Sequence, residues 1–228
     1  MTIMVLGSIN TDITAYGRVL PRLGETIFAD RYEMELGGKG ANQAAAAARL
    51  GVPVEFVGRV GADAFGKLAL DRLEAFGVST RHSTRGEAEA TGIAIIGVDG
   101  EGHNAITVVS GANMRIGEDE LRQVLPALER AKVLMLQLEI PLATCRSAAR
   151  AARRRGVTVV LDPAPAPTGG LPADLYALID VITPNETEAL TLLGFQPETI
   201  EEAARAAREL VARGARAAVV TLGARGAY

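Results

Sequence analysis

Three glycines within four residues, followed by a run of alanines, form a stretch of this chain that is suited to chemistry. Residues 37–44 read Gly-Gly-Lys-Gly-Ala-Asn-Gln-Ala. Glycine disfavours a helix interior and alanine favours one, so the pattern predicts a turn that leads directly into a helix N-terminus. Free backbone N–H groups and the positive end of the helix dipole favour an oxyanion or a hydroxyl-rich ligand there. Lys39 and Asn42 would add directional hydrogen bonds.

The same glycines could instead serve only a tight turn, and two familiar ligand loops are excluded by their spacing. A phosphate-binding P-loop has Ser or Thr after its Gly-Lys pair, whereas Lys39 is followed by Gly40. A dinucleotide-binding fingerprint has a third glycine three places after the second, where this chain has Gln43. The stretch therefore predicts either a structural turn or a ligand site of another kind.

Polar residues also follow the first predicted strand. Residues 2–7 form a short apolar run that ends in glycine, which indicates a buried strand. Asn10 and Asp12 come just after it, at the end of the strand where ligands bind in open parallel sheets. Both could instead build an Asx-turn, but the company of the glycine stretch favours a ligand site.

Glu139 occupies a similar position further along the chain. It follows the strand-like run of residues 133–138 and precedes Pro141, which suits the first turn of a helix. Its carboxylate could simply favour the helix dipole. It also lies on the same predicted rim as Asn10 and Asp12, which favours contact with a ligand.

Two later stretches carry weaker signals. The spacing of Asn185 and Glu188 matches an N-cap with an acidic residue in the first helical turn. Residues 221–226 leave a predicted strand with two glycines, which would let the backbone approach a flat ligand. Arg225, within this stretch, could simply be solvated.

Four stretches, in chain order, resemble the PfkB family of ribokinase-type sugar kinases: residues 5–12, 37–44, 183–188 and 221–226. The first resembles that family's opening strand and sugar-binding turn, the second its first signature, and the last two its nucleotide-side motifs. Because the resemblance runs over essentially the whole chain, it is more specific than any single motif.

The resemblance implies that the full-length protein phosphorylates D-ribose to D-ribose 5-phosphate with ATP and Mg²⁺, and it allows a monovalent cation such as K⁺. A kinase for another sugar or nucleoside and a truncated, non-catalytic sugar-binding protein are the alternatives. The implied sugar-binding residues are Asn10, Asp12, Gly38, Lys39, Asn42 and Glu139. The implied nucleotide-binding residues are Asn185, Thr221, Leu222, Gly223, Ala224, Arg225 and Gly226. Glu188 would organise Mg²⁺ through water molecules.

One feature that the resemblance implies is missing. The family's second signature, Gly-Ala-Gly-Asp, supplies an anion hole and the aspartate that acts as base, and no such stretch occurs before Tyr228. We therefore expect the catalytic aspartate beyond Tyr228 and expect residues 1–228 alone to be inactive. Asp162 is another acid at a strand end. Because Pro163 and Pro165 follow it, we expect a rigid surface loop there without an anion-binding nest.

The elements that must position these residues alternate between strand and helix. Strands are predicted at residues 2–7, 54–60, 132–137, 157–161, 180–182 and 217–221, and helices at 67–76, 118–130, 142–155, 186–193 and 201–213. This order predicts an α/β fold, with a mostly parallel sheet covered by helices on both faces. With the resemblance, it predicts one ribokinase-like domain over residues 1–228 that lacks the C-terminal part of the fold.

Two distant stretches, at about residues 13–36 and 91–110, have a period near 2 and contain no crossover helix. The second includes a hairpin signal at Asp99-Gly100-Glu101-Gly102. We therefore predict a small separate sheet. The resemblance implies that this sheet is a lid over the sugar and that it pairs with a second subunit to form a homodimer.

The composition is that of an ordinary globular protein, with 48% hydrophobic and 22% charged residues. A net charge of −3 gives no reason to expect nucleic acid or a membrane surface as a partner. The single cysteine, Cys145, excludes an intrachain disulfide and is predicted to be a small buried group on a helix. The N-terminus enters a strand directly and no apolar run reaches the length of a membrane span, so we expect a cytoplasmic protein.

Overall fold

The computed structural model describes residues 2–228. In chain order its strands are β1 (Thr2–Leu6), β2 (Asn10–Tyr16), β3 (Arg31–Gly37), β4 (Val54–Val57), β5 (Arg59–Gly61), β6 (Thr84–Gly86), β7 (Gly92–Val98), β8 (Asn104–Val109), β9 (Ala131–Leu136), β10 (Thr158–Leu161), β11 (Val181–Ile182) and β12 (Ala217–Ala218). Its α-helices are α1 (Lys39–Arg49), α2 (Ala64–Ala75), α3 (Glu118–Ala127), α4 (Leu142–Arg154), α5 (Ala173–Tyr176), α6 (Glu186–Leu193) and α7 (Ile200–Ala212). Short 3₁₀ helices lie at Gly111–Arg115 and Gly223–Arg225.

A six-stranded sheet forms the centre of the molecule, with the order β12-β11-β10-β9-β1-β4. All neighbouring strands in it run parallel. Neighbouring residues of β1 belong to different cores: Met4 lies in the core that includes residues of α3, α4 and α7, whereas Val5 lies in the core that includes residues of α1 and α2. Helices therefore cover both faces, and the predicted α/β class is confirmed.

Alanines let several helices lie close to this sheet. Helix α1 buries Ala41, Ala44 and Ala45 against strands that include β1 and β4. Small side chains at the interface allow a close approach of helix and strand, since packing density is uniform in protein cores. The N-terminus of α1 is thereby held directly above the carboxyl end of β1.

The predicted small sheet is also present, with the order β3-β2-β7-β8. Strands β2 and β3 pair antiparallel, β2 and β7 pair parallel, and β7 and β8 form an antiparallel hairpin. Asn10 and Asp12 therefore lie within β2 rather than in an Asx-turn, so that alternative is wrong. The role of this small sheet as a lid stays a prediction.

Two predicted strands end earlier than expected. The strand at 54–60 stops at Val57, because its partner β1 ends at Leu6, opposite Val57. The chain then enters β5, which pairs with β6 in a separate two-stranded sheet. The strand at 217–221 pairs with β11 only over Ala217–Ala218, and the chain then folds back so that the Val220 N–H donates to the Tyr228 carbonyl at 2.8 Å.

The loop that follows β10 is only partly a surface loop. Pro163 and Ala164 are buried, and the Leu138 N–H donates to the Ala164 carbonyl at 2.9 Å. Asp162 is therefore held beside the end of β9, where its N–H donates to the Leu136 carbonyl at 2.9 Å, and the predicted rigid surface loop lies only partly at the surface.

Cys145 is buried on α4, as predicted, and its Sγ donates to the Gln137 carbonyl at 3.2 Å. Burial raises the pKa of this thiol to about 12. None of the helices within residues 2–228 is both long and apolar enough to cross a membrane.

Candidate active site

The carboxylate of Glu139 lies at the N-terminus of α1. Its Oε2 accepts the Lys39 N–H at 2.9 Å and the Ser8 hydroxyl at 2.6 Å. Helix α1 begins after Gly38, whose φ is 88°. Any other residue at this position would place its Cβ 2.9 Å from the Ile9 Cα. The glycine turn therefore has a packing reason, and it also brings a carboxylate and a helix N-terminus together.

A cavity of about 360 Å³ opens beside this contact, and we name it cavity A. It lies between the end of the small sheet and the carboxyl ends of β1 and β9. Its lining residues are Asn10, Lys39, Val108, Ser110, Asn113, Met114, Leu138, Glu139 and Pro165. Three of the predicted sugar-site residues, Asn10, Lys39 and Glu139, thus meet in one cavity, with a size and mixed lining that suit a single small polar ligand.

Asp12 lies two residues after Asn10 on β2, and so on the same face of that strand. Its Oδ1 is buried and has no hydrogen-bond partner among residues 2–228. Burial, with the negative charges of Glu139 and Glu35, raises the pKa of Asp12 to about 6. Gly37 makes room for the carboxylate, because a Cβ there would lie 1.9 Å from Oδ1. An acceptor without a partner is costly when buried, which indicates a place for a ligand's hydroxyl group.

A second cavity, of about 270 Å³, lies on the other side of Lys39, and we name it cavity B. Its lining residues are Lys39, Asp162, Ala164, Thr183, Asn185, Glu188 and Thr221. Lys39 lines both cavities, so it is shared between the predicted sugar-binding residues of cavity A and the predicted nucleotide-binding residues of cavity B.

Asn185 and Glu188 form a reciprocal cap at the start of α6. The Glu188 N–H donates to Asn185 Oδ1 at 2.8 Å, and the Asn185 N–H donates to Glu188 Oε2 at 2.9 Å. The capping interpretation is therefore right, and both residues also line cavity B. The two interpretations of this motif are compatible.

Asp162 was not included among the predicted site residues, yet it lines cavity B. Its Oδ2 accepts from Gln43 Nε2 at 3.2 Å, and Gln43 in turn accepts from Gln137 Nε2 at 2.7 Å. Burial raises the pKa of Asp162 to about 6; the negative charge of Glu188 adds to the rise and Lys39 opposes it. Its position at the end of a strand indicated a ligand site, whereas Pro163 and Pro165 after it indicated a surface loop.

The sequence of residues 1–228 matches the profile described as pfkB family carbohydrate kinase. The chain belongs to this family.

Within the family, the chain is similar to ribokinases. It is 40% identical to the ribokinase of Haemophilus influenzae over 227 residues, which cover 100% of this chain and 74% of that protein. It is 34% identical to the deoxyribokinase of Salmonella typhimurium, with the same shares covered. A structure of Arabidopsis thaliana ribokinase with ribose and ATP superimposes with a TM-score of 0.85 at 37% identity, over 99% of this chain and 73% of that one.

Three predicted residues of this pfkB-family chain lie away from the two cavities or have other contacts. Asn42 lines a groove of about 480 Å³ between α1 and α2, so the structure does not bring it into cavity A. Leu222 is 2% exposed and packs in the core, which leaves only its backbone for a ligand. Arg225 is not simply solvated, because it pairs with Glu186 at 2.9 Å and donates to the Glu198 carbonyl.

Most other residues of the predicted nucleotide-binding stretch, residues 221–226, are exposed to solvent. Thr221 lines cavity B, whereas Gly223, Ala224 and Gly226 are exposed around the second 3₁₀ helix. Their contact with a nucleotide stays a prediction for this pfkB-family chain.

Sequence reasoning also missed Asn113, a buried residue whose Nδ2 donates to Asn10 Oδ1 at 2.7 Å. The only signal was a polar residue shortly after the end of a predicted strand. Nothing in residues 110–114 pointed to a partner more than a hundred positions earlier in the chain.

Proposed function

We propose that this pfkB-family chain carries the sugar site and part of the nucleotide site of a kinase that transfers the γ-phosphoryl group of ATP to the primary hydroxyl of D-ribose. The product is D-ribose 5-phosphate. The observation that carries the proposal is the position of Lys39, which lines cavity A together with Asn10 and Glu139 and lines cavity B together with Asn185 and Glu188. A cation between a hydroxyl-binding cavity and an acid-lined cavity suits transfer of a phosphoryl group from one to the other.

The groups around cavity A support a sugar as the acceptor. Asp12 Oδ1 has no hydrogen-bond partner among residues 2–228, and Glu139 and Asn10 line the cavity. Val108 and Leu138 offer apolar surface to the carbon skeleton. A site of this kind rejects analogues that lack a hydroxyl group, because its buried polar groups would then be left unpaired. Asn42 belongs to the same proposal, although it lines the α1–α2 groove.

On the nucleotide side, we propose that Asn185 lies near the phosphates and that the backbone of residues 221–226 lies beside the nucleotide. Residues 2–228 contain no cluster of three or more His, Cys, Asp or Glu side chains able to hold a metal ion alone. The residues present nevertheless fit Mg²⁺, which keeps several waters and is bound through one or two carboxylates plus substrate phosphates. Glu188, with Asp162 beside it in cavity B, would hold the hydrated ion, which would neutralise charge on the phosphates.

Two finer points belong to the same proposal. A monovalent cation such as K⁺ is included on the family resemblance, and exchanging K⁺ for Na⁺ salts in the assay tests it. A cytoplasmic location is included because the phosphoryl donor is ATP.

The experiment that tests the proposal is ribose-dependent ADP release by the full-length protein, with ATP and Mg²⁺, compared across D-ribose, 2-deoxy-D-ribose, D-fructose and a nucleoside. We expect the highest kcat/KM for D-ribose. The deoxyribokinase relative, at 34% identity, makes 2-deoxy-D-ribose the second candidate, and a preference for it would replace ribose in the proposal. Ribose binding without turnover would favour a non-catalytic sugar-binding protein.

Replacing Asp12 is expected to weaken ribose binding. Asp12→Ala removes the carboxylate whose Oδ1 has no partner, and we expect a loss of about 1.5–3 kcal/mol in the free energy of ribose binding, the range for hydrogen bonds that involve a charge. Isothermal titration calorimetry measures this loss. Asp12→Asn keeps the shape without the charge and serves as the matched variant.

The same carboxylate makes the binding pH-dependent. Because the pKa of Asp12 is about 6, the ionised acceptor is present above pH 6 and is lost as the pH falls through that value. Ribose affinity should therefore fall on acidification, and this part of the pH dependence should be absent in Asp12→Asn. Unchanged affinity in Asp12→Ala would contradict a role in sugar binding.

We also propose that the small sheet is a lid and pairs with a second copy of the chain. Strands β7 and β8 expose several large apolar side chains, with Ile106 at 54% and Ile95 at 52%. Strand β8 is an edge strand, whose unpaired backbone groups favour pairing with another strand. We expect a dimer by light scattering at micromolar concentration and a monomer after Ile106→Glu. A wild-type monomer under these conditions would count against the proposal.

A further inference from the structure

We infer that Asn113 is a positioning residue, which fixes the end of the Asn10 amide that faces cavity A and so makes Asn10 a donor to the sugar. The inference rests on the proposed function, because it assigns a role in binding the sugar. Asn113 lies in the 3₁₀ helix Gly111–Arg115, which follows the small sheet, and it is only 1% exposed.

The backbone of Ile9 settles the orientation of the Asn113 amide. Asn113 Oδ1 accepts the Ile9 N–H at 2.9 Å, and Asn113 Nδ2 donates to the Ile9 carbonyl at 3.2 Å. If the Asn113 amide were flipped, its Nδ2 would face the Ile9 N–H and its Oδ1 would face the Ile9 carbonyl. Both pairs would then be buried without a hydrogen bond, which is costly. Only one orientation of Asn113 is therefore compatible with the fold.

The fixed amide of Asn113 also determines the orientation of the Asn10 amide. Its Nδ2 donates not only to Ile9 but also to Asn10 Oδ1, at 2.7 Å. Since Asn10 has to present its oxygen to Asn113, its Nδ2 remains for a ligand in cavity A, which Asn10 lines. Cavity A thus combines a fixed amide donor on Asn10 with the carboxylate acceptor of Glu139. A hydroxyl group, which both donates and accepts, satisfies that combination.

The space that this pair occupies depends on Gly92. Residue 92 lies opposite Asn10 in the register of β2 and β7. A Cβ at that position would lie 2.2 Å from Asn10 Oδ1 and 2.4 Å from Asn113 Nδ2. Three separate parts of the chain therefore fit together to hold one side-chain amide.

The substitution Asn113→Asp tests the inference. It keeps an acceptor for the Ile9 N–H and replaces the donor with a second oxygen. Asn10 is then expected to turn its Nδ2 toward the new carboxylate and its oxygen toward the sugar. At pH 8, which favours the ionised form, we expect the Kd for D-ribose to rise about tenfold, the effect of one lost hydrogen bond. The KM for ribose should rise by a similar factor with a smaller change in kcat, and ATP affinity should stay the same.

A double-mutant cycle with Asn10→Ala separates positioning from a general loss of structure. If Asn113 acts through Asn10, Asn113→Asp adds little to the loss already caused by Asn10→Ala, because the two effects share one contact. Gly92→Ala, which crowds the same pair, should behave in the same non-additive way and provides a second variant if Asn113→Asp unfolds. Thermal unfolding of each variant monitors the fold.

The outcomes distinguish this inference from the proposed function. Additive losses in both cycles, in a wild-type protein that binds ribose, would overturn the role of Asn113 and leave the proposed function in place. Absence of ribose binding by the wild-type protein would overturn the proposed function and the inference with it. A non-additive cycle with an unchanged ATP affinity supports both.

Discussion

Replacing Lys39 by methionine is expected to lower kcat by about 10²–10³-fold, the usual cost of removing one preorganised group that stabilises transition-state charge. Lys39 lines both cavities, so under the proposed function its ammonium group would lie near the phosphoryl group as it passes from the nucleotide to the sugar. In the transition state, negative charge develops on the leaving oxygen of the nucleotide and is spread over the oxygens of the transferring phosphoryl group. The loss should therefore appear in kcat more than in the KM for either substrate.

Steady-state kinetics of the full-length protein with ribose and ATP measures this effect. Lys67→Met is a matched control, because Lys67 is an exposed residue of α2 whose ion-pair partner is Asp71. Lys39→Arg keeps the charge but changes its shape, so we expect intermediate activity. A rise in KM alone for Lys39→Met would show that the lysine binds ground state and transition state equally, contrary to this role.

A polypeptide of residues 1–228 is expected to turn over at least about 10⁴-fold more slowly than a complete ribokinase. A missing general base costs about 10²–10⁴-fold, and missing oxyanion donors cost about another 10²–10³-fold. The family resemblance assigns both functions to a Gly-Ala-Gly-Asp stretch, which these residues do not contain. The two carboxylates that line cavity B are Asp162 and Glu188, and under the proposed function both lie on the nucleotide side of Lys39.

Ribose-dependent ADP release measures this prediction, with the Haemophilus influenzae ribokinase as the active comparison in the same assay. Calorimetry with ribose on the same polypeptide shows whether cavity A is formed. Robust turnover would show that another acid serves as the base. Loss of that turnover in Asp162→Asn would then identify it.

The parts of the fold and of the site that local sequence determines could be predicted. The glycines before the alanine run correctly predicted that Gly38 and Lys39 lie at a helix N-terminus, because backbone conformation and helix propensity depend on a few neighbouring residues. The end of a predicted strand likewise indicated that Glu139 lies at the carboxyl edge of the sheet. The boundaries of α6 matched the prediction residue for residue, since Asn185 caps the helix and Gly194 ends it in a left-handed conformation.

What depended on distant partners could not be predicted. Asn113 is 104 positions from Ile9, and Gln43 is 119 positions from Asp162. No periodicity in either segment encodes such a contact, because it arises only when the sheets have assembled. The early end of β4 has the same origin, since it is set by the length of β1.

The reactivity of Cys145 can be used to measure local unfolding of the chain. It is the single cysteine, it is fully buried, and its pKa of about 12 leaves almost no thiolate at pH 8. We therefore expect a thiol-modifying reagent to react only after local unfolding exposes Cys145. The rate of labelling reports the free energy of that local unfolding. Because the segment between β9 and α4 also carries Glu139, a sugar bound there should protect Cys145 from labelling in proportion to its affinity.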